Sequence, residues 1–272
     1  MKKLIECSKC KALHDPYHYH CPNCGKDNDE IPLNKKYLNM IFLSDYKEFL
    51  LLLTGMLGLL LFSLIGSIAF ESFHVQIELR SSIVTLIAYV LTFAIMCCVI
   101  ASDYVPFLNQ FKKSIKNYKL LLLSLGGGAF IIAFSIGYSA ILRACWADYR
   151  SSYNESQIET LVKAWPAITF FAICIFGPIV EELAYRSGLF SILRKRNRVL
   201  AYVVAAIIFA AMHSVNGLLS KSNPLVELAN FPLYLIPAFT LCALYEYGGL
   251  TSSVYAHVLN NLVSFIVIVA TK

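Results

Sequence analysis

Charge is what this sequence has least of. Lysine, arginine, aspartate and glutamate make up 15% of its 272 residues, whereas 58% are hydrophobic; an ordinary globular domain carries about 25% charged residues. That deficit, with a mean hydropathy of +0.63, excludes a typical soluble domain and reads as a polytopic membrane protein. A signal peptide is missing as well. Met1-Lys2-Lys3-Leu4-Ile5-Glu6 offers no apolar core before Cys7, so the first span is expected to serve as its own insertion signal. No face combines basic residues with interleaved aromatics. The net charge of +6 gathers in short loops beside apolar runs, a pattern that sets topology rather than binding nucleic acid. Low-complexity tracts and a convincing internal repeat are also lacking.

Cysteine, by contrast, is plentiful, and its nine copies fall into two groups. Cys97, Cys98, Cys145, Cys174 and Cys242 lie in or beside apolar runs and read as small apolar filler. Cys7-x-x-Cys10 and Cys21-x-x-Cys24 form two knuckles separated by a loop of about ten residues, a spacing that brings four thiolates to one tetrahedral Zn²⁺. Two disulfides or a redox pair are the alternatives. Gly25 is free to take the positive φ that a tight knuckle needs. His14, His18 and His20 compete as ligands only if the cysteines leave the shell open, and otherwise read as a wet loop. A unit over 1–30 has almost no core, so a structural zinc would supply its folding energy. Such a site prefers a reducing compartment, which puts the N-terminus in the cytosol. Basic surface beyond Lys2, Lys3, Lys9 and Lys11 is too slight for DNA; the ribbon's expected role is to recruit a cytosolic protein partner or to position substrate. Residues 31–48 read as a polar linker.

The remainder reads as apolar spans over about 49–70, 82–101, 119–142, 165–190, 199–215, 228–247 and 250–270, most of a length to cross a hydrocarbon core of about 30 Å. Pro178, Pro232 and Pro237 are candidate kinks. Lys35, Lys36 and Lys47, then Lys112, Lys113 and Lys116, then Arg194, Lys195, Arg196 and Arg198 would share one side, while the alternate loops carry no such excess. The positive-inside rule therefore puts the N-terminus in the cytosol and the C-terminus outside. The expected architecture is an all-α polytopic membrane protein of about seven transmembrane helices, preceded by a small zinc ribbon, in a cell membrane.

Against that background Gly177-Pro178-Ile179-Val180-Glu181-Glu182-Leu183-Ala184-Tyr185-Arg186 is the anomaly, because charges in the bilayer are costly and mark function. Glu181 and Glu182 point about 100° apart on a helix. Glu182 and Arg186 stand at i,i+4 in the favourable order for a pair, which leaves Glu181 to face a cavity. Counting about 1.5 Å per residue from the cytosolic loops, Glu181 lies about 15 Å deep, His213 roughly 20 Å, His257 about 12 Å and Asn261 about 18 Å. His257 and Asn261 share one helical face. Each polar residue alone has a structural reading: a hydrogen-bonded histidine, an asparagine joining helices, a packing pair. Together they can bind water and polarise a carbonyl. Ser187 has no Gly-x-Ser-x-Gly frame, and Ser214 beside His213 has no evident third partner. His213, His257 and Glu181 offer a zinc set without a His-Glu-x-x-His helix. The other chemistry is a water activated directly by Glu181.

Glu181-Glu182-x-x-x-Arg186, Phe209-x-x-x-His213 and His257-x-x-x-Asn261 resemble, in order and spacing, the three motifs of the CPBP family of intramembrane glutamic endopeptidases, also called the CAAX-protease and bacteriocin-processing or Abi family. The resemblance covers about 160–270, the expected catalytic helical core, with generic spans over 49–142 before it. The family's usual Phe-Arg-Gly stands here as Tyr185-Arg186-Ser187-Gly188. The resemblance implies that Glu181 acts as general base on the attacking water and that His213 helps hold that water. It implies that His257 and Asn261 stabilise the oxyanion, that Glu182 and Arg186 support the site, and that catalysis needs no metal. Eukaryotic members cleave prenylated CAAX proteins. Bacterial relatives, where this ribbon-bearing version looks to belong, are associated with peptide maturation, bacteriocin immunity and signalling. The implied substrate is a membrane-associated protein or peptide. Two other classes compete: a catalytically idle scaffold that binds a membrane partner such as a sensor kinase, and a transporter or channel, for which paired discontinuous helices and inverted repeats would be the sign.

Overall fold

The fold is described from a computed structural model, which describes residues 4–14, 21, 23–26, 39–71, 73–220 and 223–271. Lys2, Lys3, His18, His20, Lys35, Lys36 and the rest of 31–38 lie outside the described residues. Strands β1 (Ile5–Glu6) and β2 (Leu13–His14) pair antiparallel around the first cysteine knuckle. The helices follow: α1 (Asp45–Ala69), α2 (Ile77–Ile100), α3 (Tyr104–Lys116), α4 (Tyr118–Cys145), α5 (Tyr153–Ala164), α6 (Pro166–Arg194), α7 (Arg198–Leu219), α8 (Pro224–Asn230), α9 (Pro232–Gly248) and α10 (Leu250–Ala270).

Among the described residues, seven helical stretches are long and apolar enough to cross a membrane: α1, α2 continued through α3, α4, α6, α7, α8 with α9, and α10. The chain is an all-α polytopic protein, as its apolar runs require, because a helix satisfies every backbone N–H and C=O within one segment. Start signals are local. The side chains of Asn117, Ser152, Asn197 and Asn223 accept from backbone N–H groups in the first turns of α4, α5, α7 and α8. Pro166, Pro224 and Pro232 occupy first-turn positions where no N–H is needed. Helix α6 is continuous through Arg194 despite Pro178. It widens into π turns over Phe171–Phe176 and Leu183–Phe190, and the ordinary turn between them, Gly177–Glu182, carries both glutamates. Pro178 has no N–H to donate, which removes one rung of the ladder.

The core gathers α6, α7 and α9 around Phe190, Phe209 and Tyr245, and it includes a segment that the linker expectation did not foresee. Met40, Ile41, Phe42 and Leu43 are buried, with Ile41 O accepting from Tyr245 Oη and Leu43 O from Lys195 Nζ. Gly188 lets α1 pass close. A Cβ there would lie 2.9 Å from Leu52 N and 3.0 Å from Glu48 O. Ion pairs collect at one end. Glu246 takes Arg194 at 2.7 Å and Arg198 at 3.2 Å, and Lys195 takes Glu48 at 2.7 Å and Asp45 at 2.8 Å. Asn39 N donates to Glu246 O, and Lys113 of α3 donates to Asn39 Oδ1, so α3 lies at that same end.

Candidate active site

Three elements bring ionisable side chains to one place. Glu181 of α6 has its Oε2 3.8 Å from His213 Nε2 of α7 and 3.7 Å from His257 Nε2 of α10. These separations are too long for direct hydrogen bonds, and a water oxygen roughly 2.8 Å from each atom would close both gaps. His213 Nδ1 is 2.9 Å from Phe209 O. A carbonyl only accepts, so Nδ1 carries the proton and Nε2 of the neutral ring is a lone-pair acceptor facing Glu181.

Behind this front lies a dry support. His257 Nδ1 meets Glu182 Oε1 at 3.0 Å, and Glu182 Oε2 meets Arg186 Nε at 3.2 Å. Glu182 is fully buried and Arg186 nearly so. The guanidinium lies 4.5 Å from the centroid of the Phe209 ring, and Nη2 reaches Ala238 O at 3.5 Å. The phenylalanine of the second motif therefore carries the arginine of the first. Asn261 donates from Nδ2 to Ile173 O at 2.8 Å and accepts from Asn260 Nδ2 at 3.1 Å. It ties α10 to the widened turn just before Glu181.

A cavity of about 490 Å³ is lined by Glu181, His213, His257 and Asn261, whereas Glu182 and Arg186 sit in its wall rather than on its surface. The cavity runs from Glu181 between α4 and α10, past Ile132, Ser135 and Ser264, to Arg143, Asn154 and Glu155. Its lining mixes apolar residues with hydroxyl-bearing ones. Two lining residues went unread in the sequence. Tyr89 of α2 donates from Oη to Glu181 Oε1 at 3.1 Å. Tyr234 of α9 stacks on His213 with ring centroids 4.9 Å apart, and its hydroxyl meets Ser152 Oγ at 2.6 Å. Both stand in spans that look generically apolar. The available signal was physical: a phenol at membrane depth needs a partner.

The cysteine knuckles form a separate cluster. The Sγ atoms of Cys7, Cys10, Cys21 and Cys24 all lie within 4.8 Å of one another, with Cys7–Cys24 at 3.6 Å and Cys10–Cys21 at 3.4 Å. A tetrahedral thiolate site has edges of about 3.8 Å, so the set fits a metal ion. Its two halves repeat one backbone device. Lys11 N and Gly25 N return to Cys7 O and Cys21 O, and Lys11 and Gly25 take φ of 61° and 69°. Donors from the Asn23 side chain and Ala12 backbone pull the Cys10 thiol down to about 6, and the Cys10 backbone donor lowers Cys7. Burial pushes Cys21 up to about 12 and raises Cys24.

Sequence comparison places this geometry among known proteins. Residues 163–263 match the family described as type II CAAX prenyl endopeptidase Rce1-like. The UPF0177 protein YvdC of Lactococcus lactis subsp. lactis (strain IL1403) is 26% identical over 120 residues, 44% of this chain and 42% of that protein. The chain thus spans about two fifths of the length of that curated relative. No solved structure matches. The matched segment holds Glu181, Glu182, Arg186, His213, His257 and Asn261, so the part of this membrane protein that surrounds Glu181 is the part similar to the type II CAAX prenyl endopeptidase Rce1-like family.

Proposed function

We propose that this chain is an intramembrane endopeptidase that hydrolyses a peptide bond of a membrane-associated protein or peptide with a water activated by Glu181. The observation that carries the proposal is the convergence of Glu181 with the Nε2 atoms of His213 and His257 on a cavity inside the bundle. A water held between Glu181 Oε2 and His213 Nε2 gives a proton to the carboxylate as its oxygen bonds to the substrate carbonyl carbon. The carbonyl π pair moves to oxygen, and that oxyanion is met by His257, in its imidazolium form an Nε2–H donor, with Asn261 beside it. Collapse re-forms the carbonyl and breaks the C–N bond, and Glu181 passes its proton to the departing nitrogen. The products are a carboxylic acid and an amine, and transfer of the acid's proton leaves a carboxylate and an ammonium. Glu182 and Arg186 act on His257: the paired carboxylate accepts from Nδ1 and fixes the ring so that Nε2 faces Glu181.

The cysteine cluster in this proposal holds a structural Zn²⁺ through Cys7, Cys10, Cys21 and Cys24, and the ribbon is a cytosolic module for a protein partner. The loop lysines and arginines support a cytosolic N-terminus. Membrane and secreted peptides from cells carrying wild type, Glu181→Gln or no protein test the reading. New peptide ends found only with wild type are the expected result and would name the substrate. Equal peptides and phenotype for wild type and Glu181→Gln, with a defect only on deletion, would replace the peptidase by a membrane scaffold.

A further inference from the structure

The 163–263 segment does not complete the site. Tyr89 stands near the middle of α2 (Ile77–Ile100), where the surrounding residues are apolar and a phenol oxygen has no lipid partner. It is half-buried, lines the cavity, and donates to Glu181 Oε1 at 3.1 Å. The approach depends on Gly177. A Cβ there would lie 3.4 Å from Tyr89 Cζ and 2.9 Å from Ala172 O, so a larger residue would press on both the tyrosine ring and the widened turn.

The consequence is a carboxylate with two different oxygens. Oε1 is held by the phenol, while Oε2 is the atom near both histidines. A carboxylate free to turn about its last bond spends time with neither oxygen aimed at the water. A charge-assisted donor on one oxygen fixes the plane and leaves the other oxygen's lone pair for the proton. From this we infer that Tyr89 is a positioning residue of the peptidase site, supplied by a helix outside the Rce1-like segment, and that it orients Glu181 Oε2 toward the water. The inference rests on Glu181 being the general base. It also gives the first half of the chain a part in the chemistry beyond insertion.

The test compares full-length wild type, Tyr89→Phe, Glu181→Gln and the empty strain by their membrane and secreted peptide ends. The purified proteins in detergent are then assayed on a synthetic peptide carrying the site so found. Tyr89→Phe keeps the ring and removes one hydroxyl. The expected result is kcat lower by roughly 10- to 100-fold, the scale of a lost hydrogen bond to a charged group. KM should stay within about twofold, and the melting temperature should stay unchanged. Cleavage by Tyr89→Phe equal to wild type, with Glu181→Gln inactive, overturns the Tyr89 assignment and leaves the peptidase intact. A loss of activity that follows a lowered melting temperature makes Tyr89 a packing residue and overturns it too. Wild type equal to Glu181→Gln removes the peptidase reading and this inference with it.

Discussion

Glu181 and Glu182 are neighbours in sequence with opposite surroundings. Glu182 is fully buried between Arg186 Nε and His257 Nδ1, whereas Glu181 keeps 14% of its side chain exposed to the cavity. Neutralising them should therefore have different costs. Glu182→Gln leaves the Arg186 cation in a dry core with no counter-charge, an error worth roughly 3–5 kcal/mol, and should sharply lower the melting temperature of the purified protein. Glu181→Gln changes a group on the cavity wall and should barely move it. Equal losses would contradict the separation of support from chemistry. Arg186→Lys should resemble Glu182→Gln in melting assays, because a lysine has neither the fork that reaches Glu182 and Ala238 nor the flat face that lies over Phe209. Much of this was legible in the sequence. The helical period separates the two glutamates and pairs Glu182 with Arg186. The period says nothing about other helices, so neither the Glu182–His257 contact nor the bonds from Tyr89 to Glu181 and from Asn261 to Ile173 was visible.

At the scale of elements, α5 shows where hydropathy reading stops. Tyr153–Ala164 is short and polar, so a search for spans passes over it, yet Asn154, Glu155 and Glu159 line the far end of the cavity. The helix is seated by Tyr153 N on Glu227 Oε1 and by Ser152 on Tyr234. Burial raises the Glu155 carboxyl above the ordinary carboxylate range, and the Ser152 backbone bond and Arg143 only partly draw it back. A raised carboxyl binds its proton more tightly folded than unfolded. Its stabilising contribution is therefore complete below the ordinary carboxylate range and is lost as pH rises through the raised value. Glu155→Gln, a neutral mimic, should melt above wild type at about pH 8 and match it near pH 4. An advantage that did not shrink with acid would mean that Glu155 is not held neutral by its site. The buried segment at Met40–Leu43 escaped sequence reading for the same kind of reason: four apolar residues flanked by polar ones are too short to register as an element. The cysteine spacing needed no such context. Cys10→Ser should lose the roughly one equivalent of zinc expected per chain by elemental analysis, and wild type should release zinc as the thiolates protonate in acid.

The whole molecule has two unlike ends. One gathers Arg194, Lys195 and Arg198 on Glu246, Glu48 and Asp45, with Lys113 of α3 alongside. The other carries the end of α4, helix α5 and the far end of the cavity at Arg143 and Glu155. If the basic end is cytosolic, the cavity runs from Glu181 toward the opposite face, and substrate would enter from outside or from the outer leaflet. Cys145 tests this without any engineered label site. It closes α4, is exposed, and lies two residues beyond Arg143 of the cavity lining. Cys97 and Cys98 are also exposed, but they sit inside a span, where a charged maleimide does not reach in lipid. The ribbon cysteines lie on the chain that leads into the basic end. Intact cells treated with a membrane-impermeant maleimide should therefore label wild type, and Cys145→Ser should abolish that label. Permeabilised cells treated with a chelator should gain a second, Cys145-independent label on Cys7, Cys10, Cys21 and Cys24 as their metal is withdrawn. The reverse order, with ribbon cysteines reactive from outside and Cys145 only after permeabilisation, would invert the protein in the membrane and turn the cavity toward the cytosol.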